Sequence, residues 1–250
     1  MFTFFTKKIF LVDYLEGLFD IHNHILPGID DGAKNIDESI GIIEGFHQLG
    51  ITEFICTPHI IHNYHDNTKN TIKQAFEELK NGLSYHNIDY IKVAYAAEHM
   101  IDDNFENLLD RDEILPLNEN HVLIEMSYLQ PSINFDHSIE KIRNKGLFPV
   151  FAHPERYQYL NSDIKNYATY KSKEGLKFQL NLLSLGGYYG ADVQKSALRL
   201  LEGNFYDFVG SDAHNLRHVE SLKSIKLKEH YVPHFIRLVH NNRSLAKKVV

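Results

Sequence analysis

Seven short apolar runs recur along the chain, each followed by a stretch with helical spacing. They are LFDIH (18–22), ITEFICT (51–57), YIKVAYAA (90–97), HVLIEMS (121–127), LFPVFA (147–152), LKFQLN (176–181) and FYDFVGS (205–211). Several are near-continuously apolar and rich in β-branched or aromatic residues, as in strands covered on both faces of a parallel sheet. Residues 36–49 place Ile36, Ile40, Ile43 and Phe46 on one helical face. Asn35 and Glu38 are spaced as a capping-box variant at its start, and Gly50 follows it as a stop. Helices are also predicted over 69–86, 134–145, 163–174, 190–202 and 233–248. Strand and helix in alternation predict an α/β fold with parallel strands. Seven strands are one short of an eight-fold barrel, which leaves an open doubly wound sheet or an irregular barrel. No repeat or Pro/Gly-rich linker divides the chain, so residues 1–250 read as one domain. Residues 1–17 form an N-terminal extension expected to pack on the body, as does the basic amphipathic C-terminal segment.

Charge and cysteine usage narrow the chemistry. The formal net charge is -7, which argues against a nucleic-acid partner held by phosphate neutralisation. An acidic substrate then requires a local positive centre. The single cysteine, Cys56, excludes a disulfide framework and a thiolate zinc site, and a reducing, cytoplasmic setting follows simply. No apolar run approaches the ~18 residues of a membrane span, so membrane insertion is not expected. The sixth residue after Cys56 is His62, not the arginine of a Cys-x5-Arg phosphatase, so Cys56 reads as a small core residue. The chain also lacks a G-x-S-x-G elbow and a phosphate-binding GxxxxGK[ST] loop.

The C-terminal ends of the runs carry the chemistry. His22 and His24 follow the first run, with Asp31 in the loop beyond. His59 follows the second, Glu98 the third, and Glu125 lies near the end of the fourth. His153 follows the fifth in FAHPERY, and Asp212 and His214 follow the seventh in GSDAH. A lone histidine at a strand end is usually just hydrogen-bonded or exposed. Nine such residues at one end of consecutive strands point to a shared rim, where α/β barrels build their sites. Nine ligands exceed the four to six or so of one ion, so two or three divalent ions sharing carboxylates are expected. Imidazole with carboxylate suits Mn, Fe or Zn. Four carboxylates against three divalent ions leave a formal charge of about +2, the positive centre that suits a phosphate dianion. Arg156 is placed to fork onto phosphate oxygens, and Arg217 repeats its spacing from His214 as a weaker candidate. His62, His65, His99 and His218 read as loop residues. Tyr128 reads as an ordinary tyrosine rather than part of the site mouth.

Together, DIHNHILPGIDDGA, TPHI, Glu98, Glu125, FAHPERY and GSDAH resemble the polymerase-and-histidinol-phosphatase (PHP) superfamily. More narrowly, they resemble the manganese-dependent protein-tyrosine phosphatases encoded with bacterial capsule and exopolysaccharide genes. The resemblance spans residues 18–218, in order. It implies a distorted seven-stranded (β/α) barrel and a trinuclear metal site on His22, His24, Asp31, His59, Glu98, Glu125, His153, Asp212 and His214. It assigns phosphate binding to Arg156 and leaves Asp30 to the turn, with Asp20 free to orient a ligand histidine. The expected reaction is phosphomonoester hydrolysis by attack of a metal-bridging hydroxide, with His59 or Asp212 as proton donor. The implied substrate is the phosphotyrosine tail of a bacterial tyrosine kinase. A histidinol-phosphate-type small-molecule phosphatase is the alternative. A nuclease or a degenerate binding domain follows behind, and an oligomer is compatible with all of them.

Overall fold

Every apolar run becomes a strand, and every pairing among those strands is parallel, as burial on both faces requires. The computed structural model describes residues 8–173 and 175–246. It begins with β1 (Lys8–Phe10) and β2 (Phe19–Asp20), then α1 (Ile36–His47) and the pair β3 (Glu53–Cys56) and β4 (His59–Ile60). Next come α2 (Lys69–Tyr85), β5 (Lys92–Tyr95), β6 (Glu98–Met100), α3 (Phe105–Asp110) and β7 (His121–Glu125). Then follow α4 (Phe135–Asn144), β8 (Phe148–Ala152), α5 (Ile164–Lys171), β9 (Lys177–Asn181) and α6 (Leu182–Leu185). The chain closes with α7 (Ala191–Glu202), β10 (Phe208–Gly210), α8 (Leu216–Leu222), β11 (Lys226–Lys228) and α9 (Val232–Asn242).

The strands form a six-stranded sheet, β10-β9-β8-β7-β6-β4, and a three-stranded sheet, β2-β3-β5. Two chain segments belong to both sheets. Thr57 and Pro58 part β3 from β4, and Ala96 and Ala97 part β5 from β6. Proline has no N–H for the ladder, yet pairing persists across the breaks: Ala96 N donates to Cys56 O at 2.8 Å and Glu98 N to Pro58 O at 3.1 Å. Past the end of β2, Asn23 bridges Ala213 in parallel, and Asp212 N donates to His22 O at 2.7 Å. The outcome is a curled parallel sheet inside a mixed α/β fold.

The helices follow the predicted apolar stripes, with shorter ends. Asn35 caps α1 by accepting from Glu38 N at 3.0 Å. Glu38 reaches back to Lys34 N at 3.1 Å instead of completing a capping box on Asn35. Gly50 adopts φ 79° and lies so close to Glu16 that a Cβ would sit 3.1 Å from its Cα. Helix α9 stops at Asn242 and tightens into a short 3-10 turn, Arg243–Leu245, short of the predicted 248. Helices α3, α6 and α8 are too brief for periodicity to reveal. Within the extension, Leu11 and Leu15 are fully buried, and β1 pairs antiparallel with β11. Residues 1–7, residue 174 and residues 247–250 lie outside the described set. Cys56 is buried in the core, where desolvation pushes its thiol up.

One buried side chain joins the first and last of these parallel strands. Asn242, from the end of α9, donates to Phe19 O at 2.9 Å and to Val209 O at 2.6 Å. Its Oδ1 accepts from Val209 N at 3.1 Å. Its amide therefore satisfies backbone groups of both β2 and β10. Asn242→Ala leaves those buried groups unpaired and should lower stability by about 2–4 kcal/mol. Chemical denaturation checks this, and a midpoint equal to wild type would contradict it.

Candidate metal centre

The nine residues named from the strand ends meet on one rim of the curled sheet. His22, His24, Glu98, Glu125, His153 and Asp212 are buried, while His59 and His214 are partly covered and Asp31 faces the opening. Glu98 Oε2 lies 3.1 Å from His22 Nε2, 3.4 Å from His24 Nε2 and 3.2 Å from His59 Nδ1. Asp212 Oδ1 lies 3.4 Å and 3.2 Å from the same Nε2 atoms of His22 and His24. Glu125 Oε1 approaches His59 Nδ1 at 2.9 Å. Asp31 Oδ1 faces His59 Nε2 and His214 Nε2, both at 3.5 Å.

Three groups have the spacing to hold an ion: His24-Asp31-His59-His214, His22-His24-Glu98-Asp212, and His59-Glu98-Glu125. Glu98 is shared by two of them, as a bridging carboxylate would be. His24 and His59 are also shared, but a neutral imidazole has one free lone pair and serves one group at a time. His153 falls in none of the three, although its Nε2 sits 3.1 Å from Glu98 Oε1.

The donor chemistry fits divalent cations. Ring nitrogens of His22 and His24 face each other at 3.4 Å, and Glu98 Oε2 and Glu125 Oε1 are buried without a hydrogen-bond donor. Without a metal, protons must supply the positive charge. Burial opposes protonation of His24, but Asp30 and Asp212 hold its pKa well above the ordinary value. Burial likewise opposes His59, yet Glu125 and Glu98 raise it to about 9. Glu98 and Asp212 stay well below the carboxylate range despite desolvation, chiefly because His22 stands beside both.

Neighbouring acceptors orient the imidazoles. His22 Nδ1–H points at Gln179 Oε1 at 2.9 Å, His24 Nδ1–H at Asp30 Oδ2 at 2.8 Å, and His214 Nδ1–H at the Asp212 carbonyl at 2.9 Å. In all three, Nε2 is left facing the cluster. The backbone leading into the cluster is strained, with His153 at φ 34° and Asp212 at φ 51°, left-handed values that non-glycine residues avoid.

Arg156 stands at the edge of the cluster. Its Nη1 donates to Asp212 Oδ2 at 2.6 Å, and its guanidinium lies between two rings, 4.6 Å from Tyr128 and 4.1 Å from Tyr189. Tyr128 stacks on Tyr157 at 5.5 Å, and Tyr157 on the buried Phe151 at 4.9 Å. An aromatic column anchored in the core thus sets the plane of Arg156. Asn181 Nδ2 holds Asp212 Oδ2 at 2.8 Å and Tyr189 Oη at 3.2 Å. Glu155, buried, fixes this turn by accepting from Asn181 N and the Tyr206 hydroxyl. Arg217 is exposed in a cleft of about 650 Å³ that Asp31 and His214 also line.

Several expectations change. Asp30 serves the turn, through Gly32 N at 2.9 Å, and also orients His24. Asp20 does not orient an imidazole: its carboxylate takes Ser211 N and Oγ and Asn23 Nδ2, tying β2 to the turn after β10. His99 is no loop residue; it is buried in β6 with Nδ1 on Leu123 O and Nε2 on Leu115 N. Desolvation lowers its pKa to about 4. His65 stacks on His59 at 5.6 Å, and His218 Nδ1 accepts from His214 N at 3.3 Å. Tyr128 does line the site, against Arg156.

A curled parallel sheet with an imidazole-carboxylate cluster at its rim, spaced to hold metal ions, is consistent with a PHP-like fold. The family model for capsular polysaccharide synthesis, CpsB/CapC, matches residues 18–228, and the chain belongs to that family. It is 31% identical over 201 residues to the tyrosine-protein phosphatase YwqE of Bacillus subtilis, covering 80% of this chain and 78% of that one. It is 27% identical over 205 residues to the tyrosine-protein phosphatase CpsB of Streptococcus pneumoniae, covering 80% and 84%. A solved structure from work on YwqE and CpsB, described as unique metal-dependent tyrosine phosphatases, superposes with a TM-score of 0.74 at 30% identity. That match covers 82% of this chain and 84% of the solved one. No helix among the described residues is long and apolar enough to cross a membrane.

Two outcomes follow from this geometry. Gln179→Ala frees the His22 ring and should weaken divalent metal binding about 10–100-fold, measured by calorimetry; unchanged affinity would contradict the role. Binding must also displace protons from raised histidines such as His59, so affinity should climb as pH rises toward about 9. Calorimetry in buffers of different ionisation enthalpy should register proton release, and a pH-independent affinity would contradict it.

Proposed function

We propose that this chain is a metal-dependent protein-tyrosine phosphatase, acting in the cytoplasm on the phosphotyrosine tail of a bacterial tyrosine kinase in capsule or exopolysaccharide synthesis. The observation that carries the reading is a buried cluster of imidazoles and carboxylates whose acceptors lack donors, set beside a ring-held arginine. Family membership and the named activities of the relatives support it. With β3 and β4 counted as one broken strand, and β5 and β6 as another, the fold reads as a distorted seven-stranded (β/α) barrel. All nine residues are the proposed ligands, His153 included, for two or three divalent ions, with manganese first and iron or zinc after it.

When bound, those ions would supply Lewis acidity and water activation near neutral pH. The protein's residues do the rest. Arg156 turns from Asp212 to two phosphate oxygens, a forked contact that suits a dianion better than a single donor would. Asn181 keeps Asp212 Oδ2 hydrogen-bonded when Arg156 leaves it, so Oδ1 remains aimed at His22 and His24. Tyr128 and Tyr189 hold the guanidinium plane throughout. Arg217, in the cleft that Asp31 and His214 also line, is a weaker second contact for phosphate. His59 or Asp212, whichever keeps a proton once the ions are bound, would pass it to the leaving oxygen. A phenolate, with pKa ~10, needs less of that help than an alkoxide. Cys56 takes no part, being buried with its thiol raised.

The test is hydrolysis of a phosphotyrosine peptide against histidinol phosphate. Chelator-stripped protein should lose turnover and regain it with Mn2+. Arg156→Ala should raise KM for the peptide by about tenfold or more, the loss of a charge-assisted contact. Full activity without metal, or a higher kcat/KM on histidinol phosphate, would overturn the reading.

A further inference from the structure

A second feature begins where the metal cluster ends. Ile61, Met100 and Ser127 each lie two residues beyond a candidate ligand: His59, Glu98 and Glu125. Alternate residues of an extended chain share a face; the register of β4 and β6 keeps Ile61 in step with Met100, and that of β6 and β7 sets Met100 beside Glu125, with Ser127 two residues further along. All three line one cleft of about 700 Å³, together with Tyr64 and Ile133. The cleft and the cluster share walls. On one side Tyr64 packs edge-on to His65 at 4.7 Å, and His65 stacks on His59 at 5.6 Å. On the other, Ser127 precedes Tyr128, whose ring covers Arg156 at 4.6 Å.

Distance and charge define what fits there. Two residues of extended chain advance about 6.6 Å, comparable to the reach of a tyrosine side chain from its backbone. A phosphotyrosine with its phosphate at the cluster therefore brings its own backbone to the level of the cleft. The cleft is apolar and open, with Tyr64 76% and Ile133 100% exposed. Its lining includes Asp102 and Asp103 and no lysine or arginine. Asp102 is occupied by the amides of His62, Asn104 and Phe105, while Asp103 lies exposed at the rim.

We propose that this cleft receives an apolar side chain of the polypeptide next to the phosphotyrosine, and that its carboxylates select against acidic flanks. The inference rests on the phosphatase reading and adds sequence preference to it. Small aryl phosphates, which lack a flank, would use the cluster alone.

The test compares kcat/KM for three phosphotyrosine peptides, each divided by kcat/KM for p-nitrophenyl phosphate. The peptides carry alanine, leucine or glutamate within three residues of the phosphotyrosine. The leucine peptide should exceed the alanine peptide about tenfold, the scale of burying one large apolar side chain, and the glutamate peptide should fall below both. Ile133→Asp and, from the opposite wall, Tyr64→Ala should each erase the leucine gain. Equal ratios for all three peptides, or a gain that survives both substitutions, would overturn the cleft while leaving the phosphatase reading intact. An oligomer that Ile133→Asp dissolves would seat a second copy there and also overturn it. No hydrolysis of any substrate by metal-loaded protein would overturn the phosphatase reading, and the cleft with it.

Discussion

The constraint on which the site depends is buried charge. Glu98 and Asp212 are withdrawn from water and pressed against His22, His24 and His59. Buried carboxylates without compensation are strongly unfavourable, so the cluster must contain positive charge, as protons or as metal. The sheet supplies the geometry. Parallel strands bring their C-terminal ends to one rim, and the breaks after Cys56 and Tyr95 turn His59 and Glu98 into a second sheet without loss of backbone pairing. Rigid placement on strands is what allows so many ligand atoms to meet.

Around this cluster the protein spends polar groups on orientation rather than on added stability. Gln179, Asp30 and the Asp212 carbonyl each take one Nδ1–H, so the opposite ring nitrogens face inward together. Asp212 divides its oxygens, with Oδ1 toward the histidines and Oδ2 toward Arg156 and Asn181. That division lets Arg156 leave for a phosphate without unseating the carboxylate. The strained backbone at His153 and Asp212 belongs to the same design.

Much of this was legible in the sequence, and the omissions have physical causes. Near-continuous apolar runs marked the strands because both faces are buried, and the chemical residues at their ends marked the rim. The strand breaks were hidden: YIKVAYAA reads as one run because Ala96 and Ala97 stay buried while pairing shifts. Gln179, Asn181 and Tyr189 were missed because their partners, His22, Asp212 and Arg156, are distant in sequence. A signal existed in LKFQLN, where Lys177, Gln179 and Asn181 alternate with apolar residues in a strand expected to be covered on both faces. Asp20 and Asp30 show the limit of pattern reading. Each lies close to ligand histidines in sequence, and only the fold determines which one reaches a ring.

The most direct test of the account is metal stoichiometry in protein purified without chelator, compared with Glu98→Gln, which removes the carboxylate shared by two groups. The account predicts two or three divalent ions per wild-type chain, with the variant losing metal and phosphotyrosine hydrolysis together. Wild-type protein that hydrolyses phosphotyrosine with less than one ion per chain would contradict it.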